Sequence, residues 1–135
     1  MNYTELKKNF QKEMNDFPLF YAYSDKQFNE GLAKLGVKEE ELCKVGNACF
    51  MKKENYEKFE NLITEHIEKK RELIFTDSNF AYGAFLYELQ NNEYCITCDV
   101  TDSLTALDVT LEEIQGNIET LKVFKRAKDK ASQCF

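Results

Sequence analysis

From Glu54 to Phe75 an apolar residue recurs at helical spacing, and that periodicity constrains the fold more than any other feature of the chain. Tyr56, Phe59, Ile63, Ile67 and Ile74 fall on one face, with Glu57, Glu60, Glu68 and Lys69 on the other. This is the pattern of a helix buried along one side and wet along the opposite one.

The flanking segments are shorter. Tyr3 to Met14 reads as a helix with Leu6, Phe10 and Met14 on one face. Pro18 cannot continue it, and Leu19 to Tyr23 favours a strand. Ser24 with Gln27 three positions on is a capping-box pattern. It opens a helix over Asp25–Leu35 that buries Phe28, Leu32 and Leu35 and stops at Gly36. Lys38 to Cys43 predicts a short helical turn, and Ala48 to Lys52 a second strand. Phe80 to Gln90 is read as helix because Phe85 and Leu89 share a face, although Gly83 weakens it. Asn91-Asn92 marks a turn, and Glu93 to Cys98 is read as the third strand. Asp99 or Thr101 starts a short helix through Leu107. Thr110 with Glu113 is a second capping box, opening a helix with Leu111, Ile114, Ile118, Leu121 and Phe124 on one stripe. Lys122, Lys125, Arg126, Lys128 and Lys130 suit the negative end of its dipole. Three short strands among about six helices predict an α+β fold, residues 1–135 forming a single domain whose small antiparallel sheet is covered by helices.

At 135 residues the chain suffices for one core. No apolar stretch approaches the ~20 residues of a membrane span, and the charged N-terminus lacks the apolar region of a secretory signal. Five Cys without an export signal point to reduced thiols in a cytoplasm.

The net charge of −6 is unevenly distributed. Between Asp77 and Thr120 there is no Lys or Arg, while Asp77, Glu88, Glu93, Asp99, Asp102, Asp108, Glu112, Glu113 and Glu119 all lie there. The rest of the chain carries all 18 basic residues against fifteen acids. If those carboxylates share a face they attract a basic partner and repel nucleic acid. The simpler alternative is a solvated face that only keeps the protein soluble.

Other motifs are weaker. Cys95-Ile96-Thr97-Cys98 is a CxxC that could join Cys43 and Cys49 in a zinc site, with Cys134 and His66 as further donors. A regular strand would turn Cys95 and Cys98 to different faces, and free Cys commonly serves as a small buried apolar group. His66 reads as a boundary residue at the edge of the apolar stripe. Asp99 and Asp102 are paired carboxylates of a kind that binds Mg²⁺ or transfers protons, but two acids and a Thr are also what a helix start contains. There is no glycine-rich phosphate loop, G-x-S-x-G or H-E-x-x-H. Phe80, Tyr82, Phe85, Tyr87 and Tyr94 place aromatic anchors inside the acidic third.

The run Phe20-Tyr21-Ala22-Tyr23-Ser24-Asp25-Lys26-Gln27-Phe28-Asn29-Glu30-Gly31 with Leu35-Gly36, and Asn91 to Thr97 with Asp99 and Thr101 to Leu104, resemble two blocks of a family of small proteins of unknown function from Gram-positive bacteria and their phages. The resemblance implies no catalytic signature. Cys98 departs from the aromatic residue of that pattern. In size and acidity the chain is also similar in general character to anti-CRISPR proteins.

The expectation is a cytoplasmic, non-enzymatic interaction protein, monomeric or homodimeric, without cofactor. Glu88, Glu93, Asp99, Asp102, Asp108, Glu112 and Glu113 would contact a basic groove on a protein partner, most concretely a CRISPR effector nuclease, with no direct binding of nucleic acid or membrane. The alternatives are a zinc-stabilised module on Cys43, Cys49, Cys95 and Cys98, and a small cysteine-dependent enzyme, which would require a thiol of lowered pKa.

Overall fold

The computed structural model describes residues 1–134, which form eight α-helices and one three-stranded antiparallel sheet. This is the α+β class read from the sequence. Contacts divide the chain into two compact units, Lys12–Thr64 and Met1–Gln11 with Glu65 onward.

The first of these units holds the sheet. After α1 (Tyr3–Asp16), Pro18 ends the helical path and β1 (Leu19–Tyr21) begins. α2 (Asp25–Leu35) starts where Ser24 Oγ accepts the Gln27 N–H at 3.2 Å. The Gln27 side chain turns back to accept the Tyr23 N–H at 2.7 Å. At the other end Gly36 adopts a left-handed φ of 69° and its N–H returns to Leu32, the conformation that lets glycine close a helix. Phe28, Leu32 and Leu35 are half-buried rather than buried; Gly31 alone in α2 is fully enclosed.

β2 (Leu42–Val45) and β3 (Cys49–Lys52) follow, and the strand order is β1-β3-β2. Leu19, Met51 and Cys43 stand in register, as do Phe20, Phe50 and Lys44. Alternation sends the first set to one face, where Met51 is fully buried among Met14, Phe17, Phe59 and Ile63. On the opposite face Phe20 stacks on Phe50 at 5.5 Å, and the Phe28 ring meets Phe50 at 5.1 Å.

β2 corrects one expectation. The helical turn predicted over Lys38 to Cys43 is confined to a single 3-10 turn over Glu39–Glu41, and the chain becomes extended at Leu42 because β3 pairs with it.

The other unit is helical. α3 (Tyr56–Thr76) realises the long periodic segment and ends where Asp77 caps α4 (Ser78–Asn91), its carboxylate accepting the N–H groups of Asn79 and Phe80, both at 3.1 Å. α4 packs chiefly against α8 (Ile118–Ala131). Buried Ala81, Ala84, Ala127 and Ala131 contribute little bulk to this core, and Phe85 meets Phe124 edge-on at 4.9 Å.

Two further expectations are corrected in this unit. Glu93 to Cys98 is not a strand: α5 (Tyr94–Thr97) is one helical turn, because Glu93 and Cys98 both adopt left-handed φ of 57° and the Cys98 N–H bonds to the Tyr94 carbonyl. The continuous helix predicted from Thr110 is broken. The Thr110–Glu113 capping box forms as read, but α7 (Leu111–Gln115) ends at Gly116, and Asn117 caps α8 by accepting the Thr120 N–H. The break takes Leu111 and Ile118 off the buried stripe into solvent.

Gly83 sits exposed inside α4, with nothing within 4 Å of where a Cβ would be. Gly83→Ala is therefore expected to stabilise the protein by about 0.5–1 kcal/mol through backbone entropy alone, read as a higher urea midpoint at unchanged slope. A fall in the midpoint would mean that the position is not an open helix site.

Candidate interaction surface

Whether the acidic third can act as a surface depends on which carboxylates are already engaged. Three of the seven expected contact residues are bound to cations from outside the segment. Glu88 is 3% exposed. It accepts the Tyr3 hydroxyl at 2.6 Å and faces Lys7 Nζ at 3.4 Å, while its own carbonyl accepts Ser103 Oγ at 3.0 Å. A carboxylate so enclosed corrects the surface role expected of Glu88. Burial, then the bond to Glu88, pushes the Tyr3 phenol far up.

Asp108 pairs with Lys70 at 2.7 Å. Lys70, 6% exposed, also donates to the Ala106 carbonyl at 3.1 Å. Glu113 takes both terminal nitrogens of Arg71, which donates in addition to the Asp108 carbonyl at 2.6 Å. The Arg71 bond, reinforced by the Thr110 N–H, holds the Glu113 carboxyl down at about 2. Asp108 and Glu113 thus fasten α3 to the segment around α7, and their charges are neutralised.

Glu93, Asp99, Asp102 and Glu112 are exposed, and none forms an ion pair among the described residues. Three of the four lie within ten residues, along α5 and the start of α6 (Thr101–Ala106). Asp99 also accepts the Thr101 N–H at 2.9 Å, which holds its carboxyl below the usual range.

Ile96, missed in the sequence, stands in the middle of that stretch and is 74% exposed. α5 presents it from a turn whose two ends, Glu93 and Cys98, are both in the left-handed region. Non-glycine residues are held there at a cost, and such strain clusters where a chain engages ligands. The readable signal was an aliphatic residue in a short run between two acids, Glu93 and Asp99, which the strand assignment absorbed as alternation.

Cys43 and Cys49 lie in the sheet unit, Cys95 and Cys98 in the helical one. Among the described residues no three His, Cys, Asp or Glu side chains converge as a metal site. Cys134 is hydrogen-bonded to Cys95, which pushes its thiol up, and burial pushes Cys49 up. Both directions oppose thiolate activation. His66 takes its expected boundary place, half-buried and stacked on Phe10 at 3.8 Å, with burial, then Lys70, lowering its pKa. Among the described residues no helix is long and apolar enough to cross a membrane.

The family of unknown function DUF7659 matches residues 2–130, nearly the whole chain. The chain belongs to that family. No curated protein and no solved structure matches it. The DUF7659 match covers both compact units, so the sheet and the helical bundle belong to one family pattern.

Proposed function

We propose that this DUF7659 chain is a non-catalytic binding protein that docks the α5–α6 edge on a basic surface of another protein. The observation that carries the reading is Ile96, 74% exposed on a strained turn, with Glu93, Asp99 and Asp102, none of them ion-paired among the described residues, in the same short stretch. An exposed aliphatic residue flanked by carboxylates combines an anchor, which supplies affinity once desolvated, with a charge pattern that steers encounter. A nucleic-acid channel carries the complementary charge, and the channel of an RNA-guided nuclease such as a CRISPR effector is the concrete case.

The test is binding and cleavage inhibition with purified effectors at rising salt. Affinity is expected to fall at least tenfold between about 50 and 300 mM NaCl, mostly through the association rate. Ile96→Ala should raise the dissociation rate, and Glu93→Lys with Asp102→Lys should abolish association while leaving the Asp99 cap intact. Binding that ignores salt and survives both changes would remove the docking surface. Unimpaired cleavage across the effectors would remove the nuclease as partner.

A further inference from the structure

Along the outer edge of β2 the sheet unit carries an open groove. In a sheet ordered β1-β3-β2, β2 has a strand neighbour on one side only. Every second residue on its free side therefore directs an N–H and a C=O away from β3, a template for another strand. Two cavities adjoin this edge. One, of about 390 Å³, is lined by Cys43, Lys44, Val45, Gly46, Lys53 and Tyr56. The other, of about 480 Å³, shares Val45 and Tyr56 and continues over Phe59, Glu60 and Ile63.

The two cavities differ in character. In the first, Lys44 and Lys53 form no ion pair among the described residues; Lys44 lies 6.0 Å from the Phe50 ring centre. In the second, Phe59 and Ile63 supply apolar wall, and the one acid, Glu60, is hydrogen-bonded to the Tyr56 hydroxyl. The groove thus offers positive charge without an ion pair beside an apolar pocket, along a strand whose outer side has no strand neighbour among the described residues.

We infer that β2 is a strand-addition site for an extended peptide segment of a partner, one that places an acidic side chain against Lys44 and Lys53 and an apolar one over Tyr56 and Phe59. Main-chain pairing supplies affinity and the alternating side chains supply selectivity. Lys44 stands on the Phe50 face of β2 and Val45 on the Met51 face, so the acid and the apolar residue belong at adjacent positions, on opposite faces of the added strand. This site is independent of the α5–α6 edge and takes the opposite charge.

The experiment selects binders to the full chain from a random octapeptide library. Enriched sequences are expected to share an acidic residue next to an apolar one. They should shift the amide resonances of Cys43 to Gly46 on titration. Lys44→Glu with Lys53→Glu should weaken them at least tenfold, and so should N-methylation of alternate peptide amides, a change that leaves the protein untouched. Selection that enriches nothing, a consensus without the acid, or binders that leave the β2 amides unmoved would overturn the inference. So would a concentration-dependent dimer moving those same amides, which would make the occupant a second copy of the chain.

Discussion

Asp108→Asn is expected to destabilise the protein by about 2 kcal/mol, and Asp108→Ala by about 3. Two physical effects separate at this position. Lys70 is 6% exposed and keeps the Ala106 carbonyl, but loses the one carboxylate it pairs with among the described residues when Asp108 is neutralised. An uncompensated buried charge costs about 3–5 kcal/mol when its partner is wholly buried. The Asp108 side chain is 38% exposed, so water repays part of that. The second effect is conformational: Asp108 has a left-handed φ of 56°, which Asn tolerates and Ala does not, a difference of about 1 kcal/mol. Asp108→Gly relieves the backbone while still losing the charge, and should lie nearer to Asn than to Ala once its greater unfolded-state entropy is allowed for. Lys70→Met should cost less than any of them, since it removes the buried charge and leaves a carboxylate in reach of solvent. Urea unfolding of the four variants checks the order. A Lys70→Met protein less stable than Asp108→Asn would show that the lysine stem, not its charge, holds this junction.

The same residue marks the limit of what the sequence discloses. The stretch without cations was legible, and so was its acidity, because both are properties of the chain read in order. That Lys7, Lys70 and Arg71 reach into it was not, since those residues come from α1 and α3 and meet Glu88, Asp108 and Glu113 only after folding. Local signals transferred well for the same reason: Ser24, Gly36 and the Thr110–Glu113 box act within four residues of themselves and appear as read. β2 escaped because its extended form is set by pairing with β3 rather than by its own residues. α5 escaped because its ends require left-handed conformations that a sequence reader looks for at Gly or Asn, not at Glu93 and Cys98. Ile96 was lost with it.

Gly31→Ala should cost more than Gly83→Ala gains, although the substitution is the same and both sites are helical. A methyl group built on Gly31 falls inside the contact distance of the Phe20 ring, 2.6 Å from Cγ. That carbon is the root of the ring, so rotating the side chain's far end does not clear it. The ring is also wedged, stacked on Phe50 at an interplanar angle of 19° and flanked by Phe28 at 6.1 Å. Relief must come from moving β1 or α2, and overpacking of this kind costs about 1–3 kcal/mol, more than the helix-propensity gain of up to about 1 kcal/mol returns. A net loss of about 2 kcal/mol is expected, confined to the sheet unit and seen first as faster amide exchange in β1 and β3. Phe20→Ala supplies the decisive comparison. With the ring gone the methyl has room, so Gly31→Ala in that background should stabilise rather than destabilise. A cycle in which the two changes simply add would mean that α2 accommodates the methyl by some route other than the Phe20 ring.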